Sequence, residues 1–174
     1  MNIACAALAG TLLLTLHPGG PAGAGPDATP SASAVMTLQL AGPADTAFGM
    51  FDPVHESLWS PHWEPRFLGK PNVATGLVFV TVGHAGTQTV WLLDRYDAAA
   101  RSMRYVNVTA GRTLTQLDIT VVPRGPSASE ATLRRVETAL DPAAADDVRA
   151  FAREFPTEAP HWEAAINDAL RRSR

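Results

Sequence analysis

The long series of strand-like runs after Pro61 constrains the fold of this chain more than any other feature. These runs, rich in apolar, β-branched and aromatic residues, cover 63–68, 75–82, 87–96, 103–109, 114–122 and 131–138, and a further run at 35–40 precedes them. Short turns separate the later runs. Such turns join antiparallel strands, whereas parallel strands need a longer crossover. The sequence therefore predicts a seven-stranded antiparallel sheet.

Helical patterns lie on either side of the six later runs. Between residues 44 and 59 apolar residues recur at helical spacing, and Asp52-Pro53 interrupts them, which predicts two short helices after the first strand. Strand character ends before Asp141, which is a suitable N-cap, and Pro142 suits the first position of a helix. The chain is therefore expected to close with helical structure.

Two prolines divide this C-terminal region. Pro156 and Pro160 lack the backbone N–H that a helix interior requires, so a break is predicted near Pro156. The best-formed helix is predicted over 159–172, where Trp162 and Ile166 belong to one apolar stripe.

Short segments along the chain support a more specific interpretation of this β-α-α-β6-α order. They are FDP at 51–53, LWSPHWEP at 58–65, GLVF at 76–79, WLLDRYD at 91–97, RYV at 104–106, TAL at 138–140 and WEAA at 162–165. From Val35 to Leu170 the chain resembles the SRPBCC superfamily of START-like, birch-pollen-allergen-like and polyketide-cyclase-like proteins. The resemblance implies an α+β helix-grip fold, in which the sheet curls around a long C-terminal helix and leaves an interior pocket.

The N-terminal region differs in composition from the rest. Residues 3–16 form an uncharged apolar stretch, and Ala22-Gly23-Ala24 is a small-residue cleavage site, so we expect a signal peptide over 1–24. Export to the periplasm or the medium would follow. The alternative is a disordered or membrane-resting tail. Small and polar residues over 25–34 predict a disordered linker, and a single domain is expected at 35–174.

Composition argues against several classes of function. The net charge is −3 and Lys70 is the only lysine, so no basic patch suits nucleic acid. Cys5, the single cysteine, falls in the predicted signal peptide, which leaves no disulfide or thiol chemistry. The five histidines lack metal-ligand spacing, and no Gly-x-Ser-x-Gly or phosphate-loop motif occurs. We therefore predict no metal, cofactor, recognised catalytic residue or membrane span in the mature protein, and the oligomeric state stays open.

The resemblance places aromatic residues at the pocket, although core packing is the alternative for each of them. The candidate ligand-binding residues are Trp59, Trp63, Phe79, Trp91, Arg95, Tyr105, Arg135, Glu137 and Trp162. Strand alternation puts Arg95 on the face of Trp91, and Arg135 on the face of Glu137. If those faces point inward, an arginine lies in the cavity and Glu137 is its possible partner. The alternative is that these charges face solvent.

The tetrad Pro-His-Trp-Glu occurs at 61–64 and again at 160–163. The flanking residues differ, so coincidence is the simplest explanation. In a helix-grip fold both copies could approach the same end of the pocket, which makes His62 and His161 a pair to test.

The resemblance implies a domain that binds a small hydrophobic or amphipathic ligand. An alternative is a cyclase-like or dehydratase-like enzyme that uses His62, Glu137 or Arg95 as an acid or base. A third possibility is an envelope interaction protein without a small ligand.

Overall fold

Seven antiparallel strands form one sheet in the computed structural model, which describes residues 30–83 and 86–173. The strands are β1 (Ser31–Leu40), β2 (Arg66–Phe67), β3 (Val78–Val82), β4 (Gln88–Asp97), β5 (Ser102–Thr109), β6 (Thr113–Gly125) and β7 (Ala128–Ala139). Their order across the sheet is β1-β7-β6-β5-β4-β3-β2. Each strand from β2 to β6 thus pairs with the next one in the chain, which confirms the predicted meander. The predicted signal peptide and His84 lie outside the described residues.

Strand β1 begins four residues earlier than expected. Residues 31–34 were assigned to a disordered linker because of their small and polar composition, and for these four residues that prediction is wrong. Ser31 lies opposite Thr138 of β7, and the two hydroxyl groups are 3.0 Å apart. The long partner strand β7 supplies the hydrogen bonds that fix this segment, and local composition does not reveal a partner so distant in sequence.

Among the described residues, helices and 3₁₀ turns follow β1 and β7. The helices are α1 (Ala44–Gly49), α2 (Ala145–Glu154) and α3 (Ala159–Arg172), and the turns are Glu56–Leu58, Pro142–Ala144 and Phe155–Glu158. The carboxylate of Asp141 accepts a hydrogen bond from the Ala143 amide at 2.8 Å, so the predicted N-cap is confirmed. Pro156 lies in the 3₁₀ turn that separates α2 from α3, which confirms the predicted break. Pro160 falls in the first turn of α3, where its missing N–H has no helical acceptor.

The core lies between the concave face of the sheet and the helices. Alternate residues of β1, including Met36 and Leu38, are buried, as are Ile166 and Leu170 of α3. Burial of these apolar side chains provides the main driving force for the grip of the sheet on the helix. Among the described residues, no helix is both long and apolar enough to cross a membrane.

Candidate functional site

A cavity of about 290 Å³ lies between the sheet, α3 and the segment that follows α1. Its aromatic and aliphatic wall consists of Phe51, Trp59, Trp63, Trp91, Tyr105, Leu117, Ile119, Phe155 and Trp162. Its polar wall consists of Glu56, Thr89, Asn107, Thr109, Thr113, Thr115 and Arg135. The cavity therefore combines a large aromatic surface with a band of hydrogen-bonding groups, of which Glu56 and Arg135 are ionisable.

All four tryptophans of the chain line this cavity. The rings of Trp59 and Trp162 are 5.2 Å apart, and those of Trp63 and Trp91 are 5.5 Å apart. Three of the indoles are held by hydrogen bonds. Trp59 donates to the Met50 carbonyl at 2.6 Å, Trp63 to the Pro53 carbonyl at 2.9 Å, and Trp91 to the Thr81 hydroxyl at 2.9 Å. A partner for the N–H fixes the orientation of the ring that faces the cavity.

Strand register explains the polar wall. Trp91 of β4 lies opposite Asn107 of β5, which lies opposite Thr115 of β6. Two residues along the strands, Thr89, Thr109 and Thr113 form a second row on the same face. Because side chains alternate between the two faces of a sheet, the register turns both rows toward the cavity.

Asn107 and Thr115 are buried polar residues that face the cavity. Their exposed fractions are 6% and 2%, respectively. Within 30–83 and 86–173, neither side chain forms a hydrogen bond with the protein. The polar atoms of both side chains remain accessible from the cavity. An unpaired buried amide or hydroxyl costs about 1–3 kcal/mol. These groups are therefore available to a molecule in the cavity.

Arg135 is the cationic group of the cavity. Its guanidinium donates to the Glu137 carboxylate at 2.5 Å and lies over the Phe151 ring, with the Cζ atom 4.5 Å from the ring centroid. Glu137 is buried, and its carboxylate neutralises most of the charge of Arg135. Arg135 thus lines the cavity and pairs with Glu137, whereas Glu137 itself is not part of the cavity wall. The buried Nε of Arg135 has no partner in the part of the chain that the structure describes.

The structure places Arg95 outside the cavity, so its prediction as a residue of the pocket is wrong. A β-bulge between Leu93 and Arg95 shifts the pairing of β4 with β5. The extra residue, Asp94, reverses the alternation, so Leu93 points inward and Arg95 points outward. Arg95 is exposed and donates to Asp118 at 3.1 Å on the outer face.

Phe79 also lies outside the cavity wall, as part of the core beside it. Its ring is fully buried and stacks on Trp91 at a centroid distance of 5.7 Å. Trp63 packs edge-on against the same ring at 5.8 Å. The two indoles cover Phe79, so its role is to hold Trp63 and Trp91 in place.

In both Pro-His-Trp-Glu tetrads the tryptophan lines the cavity and the histidine does not. Trp63 and Trp162 line the cavity, whereas His62 and His161 are exposed. The geometry therefore gives no support to a histidine pair at the pocket.

Glu56 is a residue of the cavity that the sequence interpretation missed. It begins the 3₁₀ turn that leads to Trp59 and lies three residues before that indole. This spacing puts the two side chains on the same side of a helical turn, and it is the signal that could have identified Glu56. Burial, with a further contribution from the nearby Asp52 carboxylate, raises the pKa of Glu56 to about 8. Glu56 is therefore mostly an uncharged acid at neutral pH.

Tyr105 is a second titratable residue that lines the cavity beside the segment of Glu56. Its hydroxyl donates to the Phe51 carbonyl at 3.0 Å. Burial raises the pKa of Tyr105 well above its usual range, and the negative charges of Glu56 and Asp52 raise it further. Tyr105 therefore stays protonated and serves to orient the segment that carries Glu56.

Solved structures with the same architecture were found by structural comparison. Norcoclaurine synthase from Thalictrum flavum, in complex with dopamine and hydroxybenzaldehyde, superposes with a TM-score of 0.63 at 15% identity, covering 84% of this chain and 90% of the synthase. The Zhui aromatase/cyclase from a Streptomyces species gives 0.62 at 15% identity, with 83% and 96% covered. A START superfamily protein from Mycobacterium smegmatis gives 0.62 at 16% identity, with 82% and 99% covered.

No family model matches the sequence, and no curated protein matches it. The shared feature is therefore the fold, since identities of this size leave few side chains in common. The comparisons confirm the resemblance to START-like proteins at that level: the chain has the α+β helix-grip fold of the SRPBCC and START-like structures.

Proposed function

We propose that this domain binds a small, uncharged amphipathic molecule in the cavity. The observation that carries the proposal is the combination of a tryptophan wall with a buried Asn107 amide that has no partner among the described residues. Ligand sites commonly combine an apolar lining with a few convergent polar groups. An aromatic or other ring system would pack on the indoles, while a carbonyl or hydroxyl group would meet Asn107.

The charges around the cavity favour an uncharged ligand. Glu137 neutralises Arg135, and Glu56 carries a proton at neutral pH. A charged ligand would lose its hydration without gaining a free counter-ion, which is costly in a buried site.

The size of the cavity favours a ring compound over a long acyl chain. Its volume of about 290 Å³ lies at the lower end of the range for ligand pockets, about 300–1,000 Å³. The structural likeness to norcoclaurine synthase, which was solved with dopamine and hydroxybenzaldehyde, supports a ligand of this size.

Tryptophan fluorescence tests the proposal, because every indole of the chain lines the cavity. A panel of neutral one-ring and two-ring compounds is titrated while emission and melting temperature are recorded. A ligand that binds the folded state must raise the melting temperature as its concentration increases. We expect at least one compound to change the emission saturably and to raise the melting temperature.

Two matched variants locate the binding site. Asn107→Leu removes the amide from the cavity, and Gln116→Leu makes the same kind of change at an exposed position of β6. We expect Asn107→Leu to weaken binding of a hydrogen-bonding compound about tenfold, which corresponds to the ~1.4 kcal/mol of one hydrogen bond. Gln116→Leu should bind like the wild type. Equal affinities in both variants would exclude Asn107 from the site, and no saturable response to any compound would contradict the proposed function.

We also propose that the domain is exported. The apolar stretch at 3–16 and the small residues Ala22-Gly23-Ala24 support this proposal. Mass spectrometry of the protein recovered from a bacterial host should give a mature chain that begins near Gly25. A full-length chain confined to the cytoplasm would contradict export.

A further inference from the structure

Glu56 occupies an unusual position for a carboxyl group. It lies in the wall of an aromatic cavity that Trp59, on its own segment, and the sheet residue Tyr105 also line. Within the described residues, its carboxyl group forms no ion pair and no hydrogen bond. Several other carboxylates of this chain are paired with arginines. Asp118 accepts from Arg104 at 2.7 Å and Glu130 accepts from Arg124 at 2.7 Å. The Glu56 carboxyl group therefore loses hydration without gaining a structural partner, as acid–base groups of active sites do.

The buried carboxylate of Asp52 belongs to the same segment as the half-buried Glu56. Asp52 is one helical turn before Glu56, and the Glu56 amide donates to the Asp52 carbonyl at 3.0 Å. The Asp52 carboxylate accepts bonds from the Val54 amide at 2.9 Å, the His55 amide at 2.9 Å and the His55 Nδ1 at 2.6 Å. These bonds hold the Asp52 carboxylate in place, one turn before Glu56.

We propose that Glu56 is the acid–base residue of the cavity and that it moves a proton within a small neutral ring compound that carries an acidic C–H beside a carbonyl group. This inference rests on the proposed binding function. The aromatic wall would hold the ring, Asn107 would receive the carbonyl oxygen, and Glu56 would face the acidic carbon.

The reaction balances without any co-reactant. The ionised Glu56 carboxylate removes the proton from carbon, the C–H electron pair becomes a C=C bond, and the carbonyl π pair moves to oxygen. The Asn107 amide N–H donates to that oxygen and stabilises its developing charge. Glu56 then returns the proton to another atom of the same molecule, so the product is an isomer of the substrate and Glu56 is again ionised.

The surroundings of Glu56 determine the pH dependence of this step. The titratable and charged groups near it are Asp52, His55, Tyr105 and the Arg135–Glu137 pair. Burial raises the pKa of Glu56 to about 8, and the charge of Asp52 contributes to this increase. Arg135 is the positive group of the cavity wall, and it forms an ion pair with Glu137. Because the base must be ionised, the rate should rise with pH and be half-maximal near pH 8.

A nitrobenzisoxazole is a suitable probe, because it is a neutral two-ring compound that a single carboxylate can convert. The carboxylate removes the ring C–H proton, the C–H electron pair completes a C≡N bond, and the N–O bond breaks to release a coloured phenolate. Binding is followed in parallel by tryptophan emission. The variant Glu56→Gln removes the base, and Glu64→Gln, at an exposed position beside Trp63, is the matched control.

We expect the wild type and Glu64→Gln to convert the probe with a half-maximal rate near pH 8. Glu56→Gln should bind the probe with similar affinity and react at least ~100-fold more slowly. The wild-type pH profile tests the inference independently of how well the variant folds. A rate that is independent of pH from 6 to about 9 would overturn it.

The two proposals fail in different ways. Saturable binding with no acceleration, or with equal rates for the wild type and Glu56→Gln, would overturn the role of Glu56 and leave the binding function intact. No change of emission and no acceleration would overturn both.

Discussion

Arg135 and Glu56 show two ways in which this chain places an ionisable group in an aromatic cavity. Arg135 keeps its charge because Glu137 and the face of Phe151 accompany it. Glu56 has no partner among the described residues and avoids the cost of a buried charge by keeping its proton. The cavity is consequently close to neutral, although Glu56, Tyr105 and Arg135 of its wall are ionisable.

Stability should depend on pH through Glu56. Its pKa is about 8 in the folded protein and close to the ordinary glutamate value in the unfolded chain. Between these values the folded state holds a proton that the unfolded chain releases, so the free energy of unfolding falls as pH rises, by at most about 1.4 kcal/mol per pH unit. The contribution is complete below the unfolded-state pKa and is lost as pH rises through about 8.

The variant Glu56→Gln cannot ionise and should lack this dependence. Chemical denaturation at a series of pH values is expected to show the variant gaining stability relative to the wild type from about pH 5 to pH 8. Parallel curves for the two proteins would show that Glu56 ionises in the folded state as it does in the unfolded chain.

Sequence reasoning identified the apolar residues of the site better than its charged ones. Tryptophans are large and apolar, so their burial follows from composition and position, and all four line the cavity. Arg95 was misplaced because the bulge at Asp94 carries no glycine or proline to mark it. Glu56 was missed because an acidic residue beside a turn is most often solvated, and only tertiary packing shows that this one is enclosed.

At the scale of elements, α3 protects an exposed edge of the sheet. Strand β1 ends the sheet, so one row of its backbone groups has no neighbouring strand. Side chains of α3 take that place. The Gln39 amide donates to Glu163 at 2.7 Å, and the Asn167 side chain donates to the Gln39 carbonyl at 3.0 Å. An edge that is covered in this way is less available for pairing with another chain.

Hydrogen exchange tests this arrangement. Glu163→Ala removes the acceptor of the Gln39 amide, so we expect that amide to exchange at least about tenfold faster, since the lost bond is worth roughly 1.5 kcal/mol. The Thr115 amide, in the centre of the sheet, should exchange at an unchanged rate. An unchanged rate at Gln39 would show that the bond to Glu163 does not protect the edge.

Local signals predicted the bounds of the C-terminal helices well, because an N-cap and a proline act within one turn of the residue that carries them. The helix at 159–172 is present with the predicted bounds, and Pro156 marks the predicted break. The predicted strand ends were less accurate, because the end of a strand depends on the neighbouring strand with which it pairs. The run predicted at 63–68 contains only the two residues of β2, since Trp63 turns toward the cavity and bonds to the Pro53 carbonyl.

At the scale of the whole molecule, the fold and the ligand are determined by different residues. A shared fold at 15–16% identity shows that the alternation of strands and the closing helix suffice to build the sheet and its pocket. What the pocket accepts depends on the few side chains that line it, such as Asn107 and Glu56. Element order therefore predicted the architecture, whereas the chemistry of the ligand depends on wall residues that element order does not specify.

The indole N–H signals in a nuclear magnetic resonance spectrum test the central claim most directly, because each of the four tryptophans lines the cavity. On titration with a neutral ring compound, the four signals should shift together and saturate at one ligand concentration. The side-chain amide signals of Gln116, which is exposed on the outer face, should stay in place. Four indole signals that remain unchanged with every compound, or that shift without saturation, would contradict a binding cavity between the sheet and its helix.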